Sequence, residues 1–150
     1  TAKAHETLVS FDVADPFVVG RNHADFLALI EHYADIVFAN QEEAKMLYKG
    51  TAAEAAERIA RTGATAVIKL GKDGALVRRG TTSHHIAAVE TQVVDTTAAG
   101  DMFAAGFLYG QCLGKSLEAS GRMAVTIASD VISRIGATVS KEALDKLKKM

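Results

Sequence analysis

The residues best placed for chemistry form one short run, Asp95-Thr96-Thr97-Ala98-Ala99-Gly100-Asp101, in which two carboxylates bracket small and hydroxylated residues. Small residues let a backbone approach a ligand closely. The apolar residues that follow predict a helix, whose free N–H groups and positive dipole end would point back at the loop. Such an arrangement suits a phosphate, or the charge developing on a phosphoryl group in transit. Asp101 falls in the first turn of that helix, where its carboxylate can accept the proton of an attacking hydroxyl. A plainer reading stands beside this one: Asp101 complements the helix dipole and the small residues pack.

Two further clusters follow apolar strands. Asn40-Gln41-Glu42-Glu43 has the spacing of a capping box, with Asn at the N-cap and Glu three residues on. The same pair can instead face a phosphate or the water shell of Mg²⁺, an ion that keeps waters and takes few carboxylates. Lys69-Leu70-Gly71-Lys72-Asp73-Gly74 sets two glycines near a strand end. They make a turn, or they admit a nucleotide's ribose or phosphate. Two other patterns carry no function. Gly110-Gln-Cys-Leu-Gly114-Lys115-Ser116 is one residue short of a phosphate-binding loop and follows a helix, so Ser116 reads as the cap of the next helix. His84 and His85 are neighbours in a strand and point to opposite faces, which argues against a metal site.

The elements that must hold these residues follow from periodicity. Leu8–Val13 reads as a strand broken by Asp15-Pro16, and Asn22–Tyr33 as a helix. A strand at Asp35–Ala39 leads into a short helix from Asn40 to Tyr48, stopped by Lys49-Gly50. Thr51 and Glu54 cap the next helix, which runs to about Arg61. Ala64–Leu70 is a buried strand, and Ala75–Arg79 with Ser83–Ala87 an antiparallel hairpin. The helix after Asp101 is apolar on nearly every face as far as Leu113 and should be buried. Leu117–Ile135 predicts an amphipathic helix capped by Gly136, and Lys141–Lys149 a final charged one. Alternation of strands and helices predicts an α/β fold: a mostly parallel sheet flanked by helices, with ligands at the carboxyl ends of its strands.

Composition excludes several classes. The 150 residues are 49% hydrophobic and 23% charged, with a net charge of −1. That balance offers no basic field for nucleic acid or an anionic membrane. No apolar run reaches the roughly 18–20 residues of a bilayer span, and the polar N-terminus shows no signal peptide. The single cysteine, Cys112, excludes an internal disulfide, fits a reducing cytoplasm and reads as a buried thiol. The absence of an initial Met, with a strand opening almost at once, suggests a fragment.

Taken in order, these segments resemble the C-terminal portion of the ribokinase-like (PfkB) carbohydrate and nucleoside kinases. That family carries an Asp-Thr-x-Gly-Ala-Gly-Asp loop opening a buried helix, and Asp95–Asp101 matches six of its seven positions. The departure is Ala98, where the family has glycine, because alanine disfavours positive φ. Asn40-x-x-Glu43 matches the family's magnesium and phosphate motif. Lys69-Leu70-Gly71-x-x-Gly74 resembles its nucleotide turn, with Lys69 in place of threonine. Ser129–Ala137 is similar to the helix end bordering the adenine pocket and a monovalent-cation loop. Ser10–Asp25 looks most like bacterial adenosine-kinase-like members.

The resemblance implies an ATP- and Mg²⁺-dependent phosphotransferase acting on a sugar or nucleoside hydroxyl. Asp101 would be the base, and the backbone of Ala98, Ala99 and Gly100 the anion hole. Asn40 and Glu43 would organise Mg²⁺ and phosphates, Lys69, Gly71 and Gly74 would line the nucleotide site, and Asp95 with Thr97 would meet a monovalent cation. Family members are about twice this length. Residues 1–150 would then be the ATP-binding part, without the N-terminal half and lid, inactive alone, and able to pair with another chain or copy through an unprotected sheet edge. A different class of function, a nucleotide-binding or interaction module that no longer catalyses, is motivated by Ala98 and Lys69.

Overall fold

The computed structural model describes residues 2–150; Thr1 lies outside the described residues. Five strands form one sheet in the order β1 (Ser10–Asp12), β2 (Ile36–Asn40), β3 (Thr65–Lys69), β4 (Ala75–Arg79), β5 (Thr82–Ile86). β1–β2 and β2–β3 are parallel, with Asp12 opposite Phe38 and Asn40 opposite Lys69. β2 and β3 are buried on both faces, as their unbroken apolar runs require of central parallel strands. β1 lies at one edge. Gly80-Thr81 links β4 to β5, a connection only antiparallel neighbours allow.

The chain divides into two compact units, Thr1–Leu70 with Leu76–His84, and Gly71–Ala75 with His85–Met150. In the first, the helices are α1 (Pro16–Arg21), α2 (His23–His32), α3 (Gln41–Tyr48) and α4 (Ala52–Arg61). Val37, Ala39, Ala66 and Ile68 from the strands join Ile30, Leu47 and Ile59 from the helices in one core. Both capping boxes form. Thr51 Oγ1 accepts from Glu54 N–H at 3.2 Å, and Glu54 Oε2 accepts from Thr51 N–H at 2.7 Å. Lys49 takes the left-handed turn that ends α3, at φ 53°.

The second unit carries α5 (Ala99–Cys112), α6 (Leu117–Ile132) and α7 (Lys141–Lys148). α5 and α6 pack closely because α5 presents glycines. A Cβ on Gly106 would lie 2.9 Å from Ala124 Cα, and one on Gly110 2.9 Å from Ser120 Cα. Ser116 does cap α6, accepting from Ala119 N–H at 3.2 Å.

Four expectations need correction. Asp15-Pro16 opens a helix besides ending a strand: Asp15 Oδ1 accepts from Phe17 N–H at 2.7 Å, and proline at the first helical position loses no intrahelical bond. α5 buries only the face of Phe103, Gly106, Phe107 and Gly110, leaving Tyr109 and Leu113 exposed. Cys112 lies on the outer side of the same helix and is exposed. α6 stops at Ile132, with Ser133 rather than Gly136 as its cap, because Ile132 O already accepts from Val94 N–H at 2.8 Å. Ile135 is left 83% exposed beyond the helix. Among the described residues no helix is long and apolar enough to cross a membrane.

Candidate functional site

In the first unit, the strand order brings Asp12, Asn40 and Lys69 to the carboxyl ends of β1, β2 and β3. Asn40 and Glu43 form a closed reciprocal pair. Asn40 Oδ1 accepts from Glu43 N–H at 2.9 Å, while the two Glu43 oxygens accept from Asn40 N–H and Nδ2, each at 2.7 Å. Glu43 is only 2% exposed. Burial raises its pKa, against the opposing pull of the Asn40 N–H and the Lys69 charge. The capping reading of this pair is therefore satisfied in full. Each carboxylate oxygen keeps a further lone pair, leaving the pair able to accept from a metal-bound water or to ligate directly. Among the described residues no group of three or more His, Cys, Asp or Glu is arranged to hold a metal, His84 and His85 included.

Lys69 Nζ lies 3.3 and 3.2 Å from the two oxygens of Asp12. Sequence reasoning placed Lys69 near a nucleotide but missed Asp12. Its only local signal is an acidic residue closing an apolar strand, and its partner is 57 positions away.

In the second unit, Asp95 organises the loop before α5. Its Oδ1 accepts from Thr97 N–H at 2.9 Å and Thr97 Oγ1 at 2.7 Å, and its Oδ2 from Gly136 N–H at 3.1 Å. The Thr97 hydroxyl, then the Thr97 and Gly136 N–H groups, lower the Asp95 pKa from its ordinary 3.8. Ala98 is left-handed, at φ 59° and ψ 11°. It holds the very conformation that glycine adopts freely and alanine does not. Ala99 N–H donates to Thr96 O at 3.1 Å and Met102 N–H to Ala98 O at 2.9 Å. Among the described residues, the N–H groups of Ala98, Gly100 and Asp101 have no protein acceptor. Asp101 is exposed in the first turn of α5, and its carboxylate has no hydrogen-bonding partner among the described residues.

The two glycines of the β3–β4 turn differ. Gly71, at φ 62°, would meet nothing within 4 Å if given a Cβ, so its outer side is open. Gly74, at φ 88°, has a structural reason of its own: a Cβ there would overlap the Ile86 carbonyl oxygen and come within 2.7 Å of Ala88 N. At the end of α6, Thr126, Ser129 and Ser133 line a cleft of about 290 Å³ with Val89 and Thr91. Asp130 also borders it and anchors α7, accepting from Ser140 N–H and Oγ, both at 2.7 Å, and from Arg134 at 2.8 Å. Gly136 reads as a helix cap in the sequence and Asp130 lies within the Ser129–Ala137 segment, but the bonds each makes are not legible there, since they join residues that only the fold brings near.

The fold is that of the ribokinase-type kinases. Ribokinase from Thermotoga maritima matches with a TM-score of 0.82 and 28% identity, over 99% of this chain and 51% of that one. The chain belongs to the pfkB family of carbohydrate kinases, whose sequence model matches residues 1–144. Adenosine kinase from Sinorhizobium meliloti gives a TM-score of 0.91 at 37% identity, over 99% of this chain and 47% of that one. The resemblance to bacterial adenosine-kinase-like members stands with it. An uncharacterized sugar kinase of Archaeoglobus fulgidus is 38% identical over 130 residues, which are 86% of this chain and 51% of that protein. The chain thus spans about half the length of the relatives it matches.

Proposed function

We propose that this chain is the C-terminal, ATP-binding part of a cytoplasmic kinase that transfers the γ-phosphoryl group of ATP to a hydroxyl of a sugar or nucleoside. The observation that carries the reading is the start of α5, where, among the described residues, Asp101 is exposed and partnerless beside backbone N–H groups with no protein acceptor. In that role the Asp101 carboxylate accepts the hydroxyl proton of the substrate as its oxygen attacks phosphorus. The Gly100 and Asp101 N–H groups, with that of Ala98, face the negative charge that develops, and the α5 dipole adds to them. Bound with Mg²⁺, ATP supplies the phosphoryl group. Asn40 and Glu43 would orient that metal through its water shell, and Gly71 would leave room for the nucleotide. The adenine fits the cleft along Thr126, Ser129 and Ser133. Asp95 and Thr97 hold the loop in shape, and any monovalent cation there would bind beside oxygens that already accept protein hydrogen bonds.

Family membership and the intact Asp101 favour catalysis over a non-catalytic nucleotide-binding module. The test is Asp101→Asn in the intact protein. Turnover of ATP with a panel of sugars and nucleosides should fall by roughly 10²–10⁴-fold, the usual worth of a general base. Mg·ATP should still bind. Unchanged turnover would remove Asp101 from the mechanism. Binding of ATP with no turnover on any acceptor, by wild type, would favour the non-catalytic module.

A further inference from the structure

The carboxyl ends of β1, β2 and β3 carry a charge cluster that the reading above uses only in part. The Lys69 ammonium lies within 3.2 and 3.3 Å of the two Asp12 oxygens, and Asn40, which faces Lys69 in the register, belongs to the strand between them. The side chains of Lys69 and Asp12 keep 18% and 28% of their exposure, so the pair is neither locked in a core nor free in solvent. Both separations exceed the roughly 2.7–2.9 Å of a tight charge-assisted bond. An ammonium held this loosely can turn to a second anion without breaking a buried pair.

Asp12 is itself fixed in direction. Its Oδ1 accepts from Ala14 N–H at 3.1 Å, and Ala14 is left-handed at φ 65°. Alanine takes that conformation at a cost, and such strain gathers where a side chain must be aimed. The surroundings are acidic: Asp15 caps α1 just beyond β1, and Glu42 and Glu43 lie in the first turn of α3 just beyond β2. A polyanion arriving here would meet like charge unless Lys69 faced it.

Resting on the phosphotransferase reading, we infer that Asp12 is a positioning residue for Lys69. It holds the ammonium at the carboxyl ends of β1–β3, and there Lys69 binds phosphate oxygens of the nucleotide. A lysine serves this purpose as a point charge that needs aiming, because it lacks the planar fork of arginine. The alternative is a tie between β1 and β3 with no ligand.

Calorimetric titration of the intact protein with Mg·ATP and, separately, with adenosine distinguishes the two. Lys69→Met should weaken ATP binding about tenfold or more, while adenosine affinity stays within about twofold. Lys69→Arg, which keeps the charge, should retain most of the ATP affinity. Asp12→Asn should cost ATP binding about threefold, because the ammonium remains but is no longer aimed. Should Lys69→Met not fold, Lys69→Gln carries the same comparison. ATP binding by Lys69→Met as tight as wild type, or an equal loss for ATP and adenosine, would overturn the inference and leave the phosphotransferase reading intact. Wild-type protein that binds no ATP would overturn both.

Discussion

Asp95 and Gly136, 41 positions apart, are joined by a hydrogen bond of 3.1 Å from the Gly136 N–H to the Asp95 carboxylate. The other oxygen of that carboxylate holds Thr97. One side chain therefore ties the loop that opens α5 to the turn that follows α6, and the ionised form makes all three bonds. Because these bonds lower the folded-state pKa of Asp95, its stabilising contribution is present above the unfolded value and is lost as pH falls through the folded one.

Glu43 should act with the opposite sign. Burial raises its folded-state pKa above the ordinary 4.5. The folded protein then holds this proton more tightly, and stability declines as pH rises from the unfolded value through the folded one. Urea midpoints measured between about pH 3 and 7 should separate the two groups. Asp95→Asn should flatten the acid limb, and Glu43→Gln should remove the decline on the neutral side. Profiles unchanged by either substitution would contradict the bonding described.

Ala98→Gly should stabilise the protein. Alanine in the left-handed region costs about 1–2 kcal/mol, whereas the extra chain entropy of glycine costs about 0.5–1 kcal/mol. The net gain is of the order of 0.5–1 kcal/mol, read as a higher urea midpoint with an unchanged slope. A lower midpoint would mean that residue 98 does not occupy the left-handed region at φ 59°.

Gly106→Ala should destabilise, although alanine is the better helix former by about 1 kcal/mol. The new methyl carbon would sit 2.9 Å from Ala124 Cα and 3.1 Å from Met123 O, both on the backbone path of α6, which cannot give way as a side-chain tip can. Overpacking of this kind costs roughly 1–3 kcal/mol, so strain exceeds propensity in most of that range. Ala105 lies on the exposed face of the same helix, and Ala105→Ser, which should change stability by well under about 1 kcal/mol, is the control for a melting comparison.

Asp130→Ala should loosen α7 more than any other element. It removes the acceptor of three bonds, two of them to Ser140, the residue that caps α7. Losing partly buried hydrogen bonds to a charged group costs about 1.5–3 kcal/mol. Hydrogen exchange of the α7 amides should quicken well before that of α6. Uniform quickening across the unit would argue that Asp130 supports the whole rather than one helix.

The parts of the fold legible in the sequence were those written in neighbouring residues. Asn40 with Glu43, Thr51 with Glu54 and Ser116 before α6 are local codes for a helix start, and each cap forms where it was expected. The buried strands β2 and β3 were plain from their apolar runs. The helix at Pro16 was missed because Asp-Pro signals a break as readily as an N-cap followed by the first helical residue. Uniform apolarity misled for α5, whose closest packing runs through two glycines that carry no hydrophobic signal. The bonds from Lys69 to Asp12 and from Gly136 to Asp95 lay beyond reach for another reason. They join residues 57 and 41 positions apart, and nothing in either segment names its partner.

The closed pair of Asn40 and Glu43 bears on how this protein's relatives should be read. A descendant that abandoned phosphoryl transfer would still need both residues to begin α3, because each already satisfies the other's hydrogen bonds. Their persistence would say little about activity. Asp101 complements the α5 dipole but caps no backbone group: it is exposed and bonded to no side chain among the described residues. If Asp101 is the base proposed above, drift at that one position would mark a relative that has lost phosphoryl transfer, and a survey for lapsed members should begin there.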